Sequence, residues 1–290
     1  MTEASANSWV LGCGDIGQRL AALLIAQNQR VCGWVRSEAT ATQLEAAGIQ
    51  ARVVDLDAAM APLHAAPRWL FWFAPPPNHG TTDPRIAGFL AALQTPPQRL
   101  IYLSTSAVYG DCGGAWIDED APLRPGNDRG RRRLDAEGHA RAYATASGCD
   151  VLILRVPGIY GPDRIPEARL RAGTPILRAD EAPFSNRIHA DDLAAAALVV
   201  AERGVPGCAY NVSDGAPTTM TDYFQRCATH LGLPSPPQIS LQDAQRSLTA
   251  SMMSFLEESK RLRCDRLRTL GWSPRYTSIE NGLALRAVRS

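Results

Sequence analysis

Trp9-Val10-Leu11-Gly12-Cys13-Gly14-Asp15-Ile16-Gly17-Gln18-Arg19-Leu20 opens apolar, turns on glycines, and then takes helical spacing through Ile16, Leu20, Leu23 and Leu24. The glycines read Gly-x-Gly-x-x-Gly. That spacing suits a strand, a tight turn and a helix N-terminus whose free N–H groups meet a pyrophosphate. Gly12 permits the turn, Gly14 lets the backbone approach the phosphates, and Gly17 lets helix and strand pack closely. Asp15 and Ile16 lie between the glycines and belong to the same expected dinucleotide contact. A strand–helix turn with no ligand is the competing reading of this stretch, and the α/β pattern downstream favours the dinucleotide.

That pattern alternates. Strands are expected over 31–35, 51–54, 69–73, 99–103 and 151–156, with helical spacing over 38–47, 84–93 and 131–146. Trp69 to Phe73 is a continuous apolar run, suited to a sheet covered on both faces. The order predicts an α/β fold with a doubly wound parallel sheet, carrying its ligand along the edge formed by the strand C-termini. After Pro157 the regular alternation fades, and prolines and arginines become frequent. Helices are expected over 191–202 and 220–230, a strand over 208–212, a loop at 234–237, and a mostly helical stretch over 242–268. The expected division is a dinucleotide-binding domain of residues 1–157 plus 186–213, and a smaller, irregular substrate-binding region of residues 158–185 and 214–290.

Composition narrows the partners. The net charge of +1 over 290 residues sets up no global field for nucleic acid or an anionic membrane. No apolar run approaches a membrane span, and Met1 to Ser8 lacks the form of a signal peptide. The 7 cysteines are scattered without a Cys-x-x-Cys and read as reduced thiols in a cytoplasmic protein. The 5 histidines show no metal-ligand spacing, so no metal is expected. Lys260 is the only lysine, so almost no position offers an amine of tunable pKa. The arginines between 129 and 133 suggest nucleic acid, but Asp118-Glu119-Asp120 lies close by and no aromatics are interleaved. An anionic small molecule, or simply a solvated helix face, suits them better.

Further strings follow the glycine loop in order: Ser104-Thr105-Ser106-Ala107-Val108-Tyr109-Gly110, Arg155-Val156-Pro157-Gly158-Ile159-Tyr160-Gly161-Pro162, Asn186-Arg187-Ile188-His189-Ala190-Asp191-Asp192-Leu193-Ala194 and Tyr210-Asn211-Val212-Ser213. Together, from Trp9 to Leu285, they resemble the extended short-chain dehydrogenase/reductase superfamily in its epimerase/dehydratase branch. The glycine loop is similar to that of the atypical members, since Leu11 stands where the usual Gly-x-x-Gly-x-x-Gly begins. The resemblance implies a Rossmann sheet, bound NAD or NADP, and oxidoreductase-type chemistry on a sugar-like or nucleotide-sugar substrate. A homodimer is left open.

Carried over residue by residue, the resemblance puts Thr105 in the place of the catalytic serine or threonine, its hydroxyl directed at a substrate oxygen. Satisfying backbone groups at a strand end is the other reading of Thr105. The superfamily's Tyr-x-x-x-Lys pair falls on Arg129 and Arg133. Arg133 has donors enough to grip the cofactor ribose. Arg129 stays protonated at any working pH and cannot shuttle a proton. The pair is nowhere else, because Leu256 stands four residues before Lys260. Tyr109, Tyr143, Tyr160 and His189 are the remaining proton carriers, each with a structural role equally open to it.

For the cofactor, NAD binders place an acid just after the second strand. Here Arg36-Ser37 stands there, which favours NADP over NAD, unless Arg36 is only a solvated helix start. By the same resemblance Asp55 and Leu56 flank the adenine, Phe73, Ala74 and Pro75 run along the cofactor, and Pro157 joins the cofactor contacts. Two functions are therefore carried forward. One is an NAD(P)-dependent enzyme without the standard dyad; the other is an NAD(P)-binding sensor or assembly protein without hydride chemistry.

Overall fold

In the computed structural model, which describes residues 7–247, 249, 253 and 256–283, the glycine loop leaves strand β1 (Ser8–Leu11) and enters helix α1 (Asp15–Ala26). β1 lies between β2 (Val31–Val35) and β4 (Trp69–Trp72), with Ser8 in register with both Val31 and Trp69. β3 (Gln50–Val53) extends the sheet beyond β2. On the other side β4 is followed by β5 (Arg99–Thr105) and then by strands Asp150–Val156 and Ala209–Asn211. All neighbours in this 7-stranded sheet run parallel. The chain therefore builds outward from β1 in one direction, returns, and builds outward in the other. The reversal falls between β1 and β4, where such sheets open a crevice at their C-terminal edge.

Strand alternation feeds two apolar layers. Val10, Phe71, Leu103 and Leu154 pack with Leu20 and Leu24 of α1 and with the helix Ala190–Arg203. Trp9, Leu11, Trp34, Trp72 and Tyr102 form the opposite layer with helices α3 (Pro84–Ala92) and α4 (Asp128–Ser147). This explains the unbroken apolar run in β4: both faces of the strand are covered. Helix α2 (Glu38–Ala46) starts on Ser37, whose side chain accepts from Thr40 N–H. α4 begins a turn earlier than the apolar spacing indicates. Asn127 caps it by accepting from Gly130 N–H, and Gly148 ends it at φ 74°.

After β5 and the strand Asp150–Val156 the chain forms short pairings around the sheet's C-terminal edge. Gly158–Tyr160 pairs with Arg187–His189, Phe184–Ser185 with Thr218–Thr219, and Trp116–Ile117 with Arg261–Leu262. The helix Met220–His230 has the expected bounds. The expected helical stretch over 242–268 is corrected. Leu241–Ser247 and Asp265–Arg268 are helical, and Arg261–Leu262 is a strand. Residues 248, 250–252, 254 and 255 of that stretch lie outside the described ones. The reason is tertiary pairing: Ser259 O accepts from Cys112 and Gly114 N–H, and Arg261 N–H donates to Ala115 O. A helix would have consumed those same groups. The expectations for Met1 to Ala6, and the end of the resemblance at Leu285, also fall outside the described residues. Among the described residues no helix is long and apolar enough to cross a membrane.

Candidate active site

The three loop glycines occupy different environments. Gly12 sits at φ 77°, and a Cβ there would lie 2.5 Å from Ala74 N. The backbone after β4 thus passes directly over the turn. A Cβ at Gly17 would meet Val10 Cγ1 at 3.0 Å, so this glycine sets the approach of α1 to β1. At Gly14 a Cβ would meet nothing within 4 Å. Gly14 is also the N-cap of α1 and offers no side-chain cap, so the first N–H groups of the helix are not taken up by a capping side chain. That is a cradle for an anion, as the pyrophosphate of a dinucleotide requires. Ile16 and Gly17 are buried behind it. The Asp15 side chain is turned aside: Arg19 Nε donates to it at 2.8 Å and Arg164 Nε at 2.5 Å. Burial alone would raise the Asp15 carboxyl, but these hydrogen bonds outweigh it and hold the group below its usual range.

A cavity of about 380 Å³ opens from this cradle toward β2 and β3. It brings together Gly12, Gly14, Arg36, Asp55, Leu56, Ala74 and Pro75, as expected for the adenosine half of a cofactor. Arg85 also lines it and carries no motif that reveals it in the sequence. Arg85 grips both oxygens of Asp57, at 2.7 and 2.6 Å, and donates to Pro75 O at 2.9 Å. One side chain thereby fixes the loops after β3 and β4 against each other. Phe73 is buried in the layer against α1 and does not reach the cavity lining.

A second cavity, of about 310 Å³, lies farther along the same edge, beyond β5 and the strand Asp150–Val156. It joins Thr105, Arg129 and Pro157. Pro157, expected beside the cofactor, thus falls on this side. Thr105 ends β5 and accepts from Ala107 N–H at 3.3 Å, capping the single turn Ser106–Tyr109. Gly130 lets α4 sit on that turn, since a Cβ there would come within 2.7 Å of Ala107 O. The first turn of α4 therefore presents Arg129 to the cavity that Thr105 lines. Arg133 goes elsewhere: it donates to Leu103 O at 2.7 Å and to the Tyr102 hydroxyl at 3.4 Å, and lines neither cavity.

Arg187, Tyr223, Glu258 and Lys260 also line this cavity, and sequence order gives little sign of them. Arg187 lies over the Tyr223 ring at 4.0 Å. Gly158 makes the room, because a Cβ there would touch Arg187 Nη1 at 2.5 Å. Lys260, buried, donates to Gly110 O at 2.5 Å and to Glu258 Oε2 at 2.7 Å. Asn127 Nδ2 donates to Glu258 Oε1 at 2.7 Å. The one visible signal was that Lys260 is a lone lysine in an arginine-rich chain.

The alternative proton carriers are engaged in structure. Tyr109 donates to Asn211 Oδ1 at 2.7 Å and accepts from Arg155 at 3.1 Å, and burial pushes its phenol up to about 12. Tyr160 donates to Ser278 O at 3.1 Å. His189 accepts from Asp191 N–H at 3.2 Å as the N-cap of its helix. Tyr143 packs its ring against the layer under α4. Beneath the site, Arg155 Nη2 meets Glu137 Oε2 at 2.9 Å, and Ser104 Oγ donates to Glu137 Oε1 at 2.6 Å. This buried pair fastens α4 to the ends of two strands.

A family model described as the NAD dependent epimerase/dehydratase family matches residues 89–213. The mouse protein dTDP-D-glucose 4,6-dehydratase is 23% identical over 199 residues, 64% of this chain and 54% of that protein. The human protein of the same name is 28% identical over 130 residues, 42% of this chain and 37% of that protein. The chain thus spans about half, or less, of the length of these two curated relatives. Over whole chains, a functionally unknown conserved protein from Silicibacter pomeroyi is 30% identical, with a TM-score of 0.81 and coverage of 96% of this chain and 97% of that one. MoeE5, solved with UDP-glucose and NAD, shares the fold at 21% identity and a TM-score of 0.75, covering 96% of each chain. With its seven-stranded parallel sheet and these relatives, the chain belongs to the NAD-dependent epimerase/dehydratase family, within the extended short-chain dehydrogenase/reductase superfamily.

Proposed function

We propose that this protein binds a nicotinamide dinucleotide in the cavity at Gly14 and a nucleotide-sugar-like molecule in the cavity at Thr105, and that it is an oxidoreductase-type enzyme working without the Tyr-x-x-x-Lys pair. The observation that carries the reading is the pair of cavities on one C-terminal sheet edge. One is built on an open helix N-terminus, and the other is lined by a strand-end hydroxyl and several cations. When bound, the dinucleotide supplies a hydride acceptor or donor. The chain's own part is to hold the pyrophosphate on the N–H groups after Gly14, the adenosine between Arg36 and Asp55, and a substrate hydroxyl at Thr105. Arg129 and Arg187 suit the negative charge of a nucleotide-linked sugar. Arg36 favours NADP over NAD. In this reading residues 158–185 and 214–290 form the substrate-binding region.

The second reading, a sensor or assembly protein that binds NAD(P) without hydride chemistry, rests on Arg129 in the place of the family's tyrosine. Calorimetry with NAD and NADP tests what both readings share. The wild type should bind at least one of them, and Gly14→Val should not. No heat with the wild type, or undiminished binding by Gly14→Val, would sink the cofactor site. Rapid nicotinamide reduction with a nucleotide sugar then separates the enzyme from the sensor.

A further inference from the structure

The cavity beside Thr105 holds one carboxylate and one amine, and the two are bonded to each other. The other lining groups are poor at moving protons. Arg129 and Arg187 stay charged at any working pH, and the hydroxyls of Thr105, Ser106 and Ser185 do not ionise. Burial pushes the Tyr223 phenol well above its ordinary value. Among the described lining residues there is no histidine and no aspartate. Glu258 is the one carboxylate among the described lining residues.

The setting of the pair is built rather than incidental. Its side chains are only 5% and 12% exposed, for Lys260 and Glu258 respectively. The Lys260 ammonium gives one N–H to Gly110 O and one to Glu258, and its third meets no acceptor among the described residues. Asn127, the cap of α4, holds the other oxygen of Glu258, so the carboxylate is fixed to the turn that carries Arg129. The backbone is pinned from both sides: Asn186 Nδ2 donates to Lys260 O at 3.0 Å and Asn186 Oδ1 accepts from Leu262 N–H at 2.8 Å. Ser259 N–H donates to Asp111 Oδ1 at 2.8 Å.

We propose that Glu258 and Lys260 are the proton-handling couple of this cavity, Glu258 taking the proton of a ligand hydroxyl held at Thr105 and Lys260 donating its third N–H to the oxygen where charge builds. The proposal rests on the oxidoreductase reading above. In the step, the ligand O–H bond breaks and its proton bonds to a Glu258 carboxylate oxygen. The electron pair left on the ligand oxygen becomes the second bond of a carbonyl as the carbon gives up its hydride to the oxidised nicotinamide. The couple goes from zero net charge to +1, and in the reverse direction Glu258 returns the proton.

A single lysine makes the test direct, because an amine reagent reports only Lys260 and the Met1 amine. The full-length protein is treated with pyridoxal 5′-phosphate, an anionic aldehyde; the imine is fixed with borohydride and located by peptide mass. Lys260 should be labelled, and NAD with UDP-glucose, each at about ten times its Kd, should slow labelling about tenfold. Glu258→Gln, by removing the counter-charge, should speed labelling at a fixed pH severalfold, while Glu258→Asp stays near the wild type. In turnover of UDP-glucose with NAD, Glu258→Gln should lose kcat by ~10²-fold or more with little change in KM. Labelling of Lys260 that is indifferent to both bound ligands, or wild-type turnover by Glu258→Gln, overturns the proposal. Failure of both NAD and NADP to give any heat of binding is a separate result, and it overturns the reading underneath.

Discussion

A Cβ at Gly12 would meet the Ala74 main chain at 2.5 Å, whereas a Cβ at Gly14 would meet nothing within 4 Å. The two residues therefore answer mutation in opposite ways. Gly12→Ala combines a strained φ of 77° with a backbone clash and should destabilise the protein by roughly 1–3 kcal/mol in urea unfolding. Gly14 has an ordinary φ of −81°, so Gly14→Ala should leave the free protein as stable or up to ~1 kcal/mol more stable. Its cost should appear in cofactor affinity, as a loss of about tenfold or more by calorimetry. Unchanged affinity would mean that no phosphate approaches Gly14. Arg36 is the other single residue with a sharp expectation. Arg36→Ala should weaken NADP about tenfold or more while leaving NAD nearly untouched, and equal losses would remove Arg36 from the 2′-phosphate. The glycines and Arg36 are legible in sequence because local backbone needs and motif position define them. Arg85, Arg187, Glu258 and Lys260 are not, because each reaches its cavity only through contacts far away in the chain.

The strands were legible for a related reason. A parallel strand buried on both faces must be apolar throughout, and Trp69 to Phe73 has no other interpretation once Pro75 stops it. The stretch over 242–268 misleads because its polar, basic spacing suits a helix, while its backbone is claimed by residues 112–115 and 184–186. Helix α4 was legible from its interior, but its function lies in its first turn, where Asn127 and Gly130 set Arg129 against Thr105. What fixes α4 farther along is the Glu137–Arg155 pair, with side chains 1% and 3% exposed. Removing one partner leaves a buried charge without compensation. Glu137→Leu should cost ~3–5 kcal/mol in urea unfolding, and Glu137→Leu with Arg155→Met should recover much of that loss. If the double variant is no more stable than the single one, the other Arg155 contacts, to Tyr109 and Glu119 O, matter more than the ion pair.

For the whole molecule, a net charge of +1 leaves little global repulsion near neutral pH, so the pH dependence of stability falls to buried groups. Asp214, 5% exposed, is the strongest of these on the acid side. Burial is the main cause that raises its carboxyl to about 7, with Asp192 adding to it, against hydrogen bonding from Ala216 N–H and the nearby Arg187 charge. The sign follows from proton counting. Between the unfolded carboxylate range and pH 7 the native state holds a proton that the unfolded chain has released. Stability conferred by that proton is complete below about pH 4 and is lost as pH rises toward 7, a total on the order of 4 kcal/mol. His189 acts in the opposite sense. Its imidazole is lowered, chiefly by burial, so its contribution is present above the ordinary imidazole value and is lost as pH falls below it. Asp214→Asn isolates the first contribution, because an amide oxygen can still accept from Ala216 N–H at the 3.0 Å that the carboxylate does. Urea unfolding of both proteins at about pH 5 and pH 7.5 should show the variant gaining on the wild type as pH rises, by a few kcal/mol across that window. Parallel behaviour of the two proteins would show that Asp214 releases its proton in the native state as readily as in the unfolded chain, and that its burial is relieved by water or by Arg187.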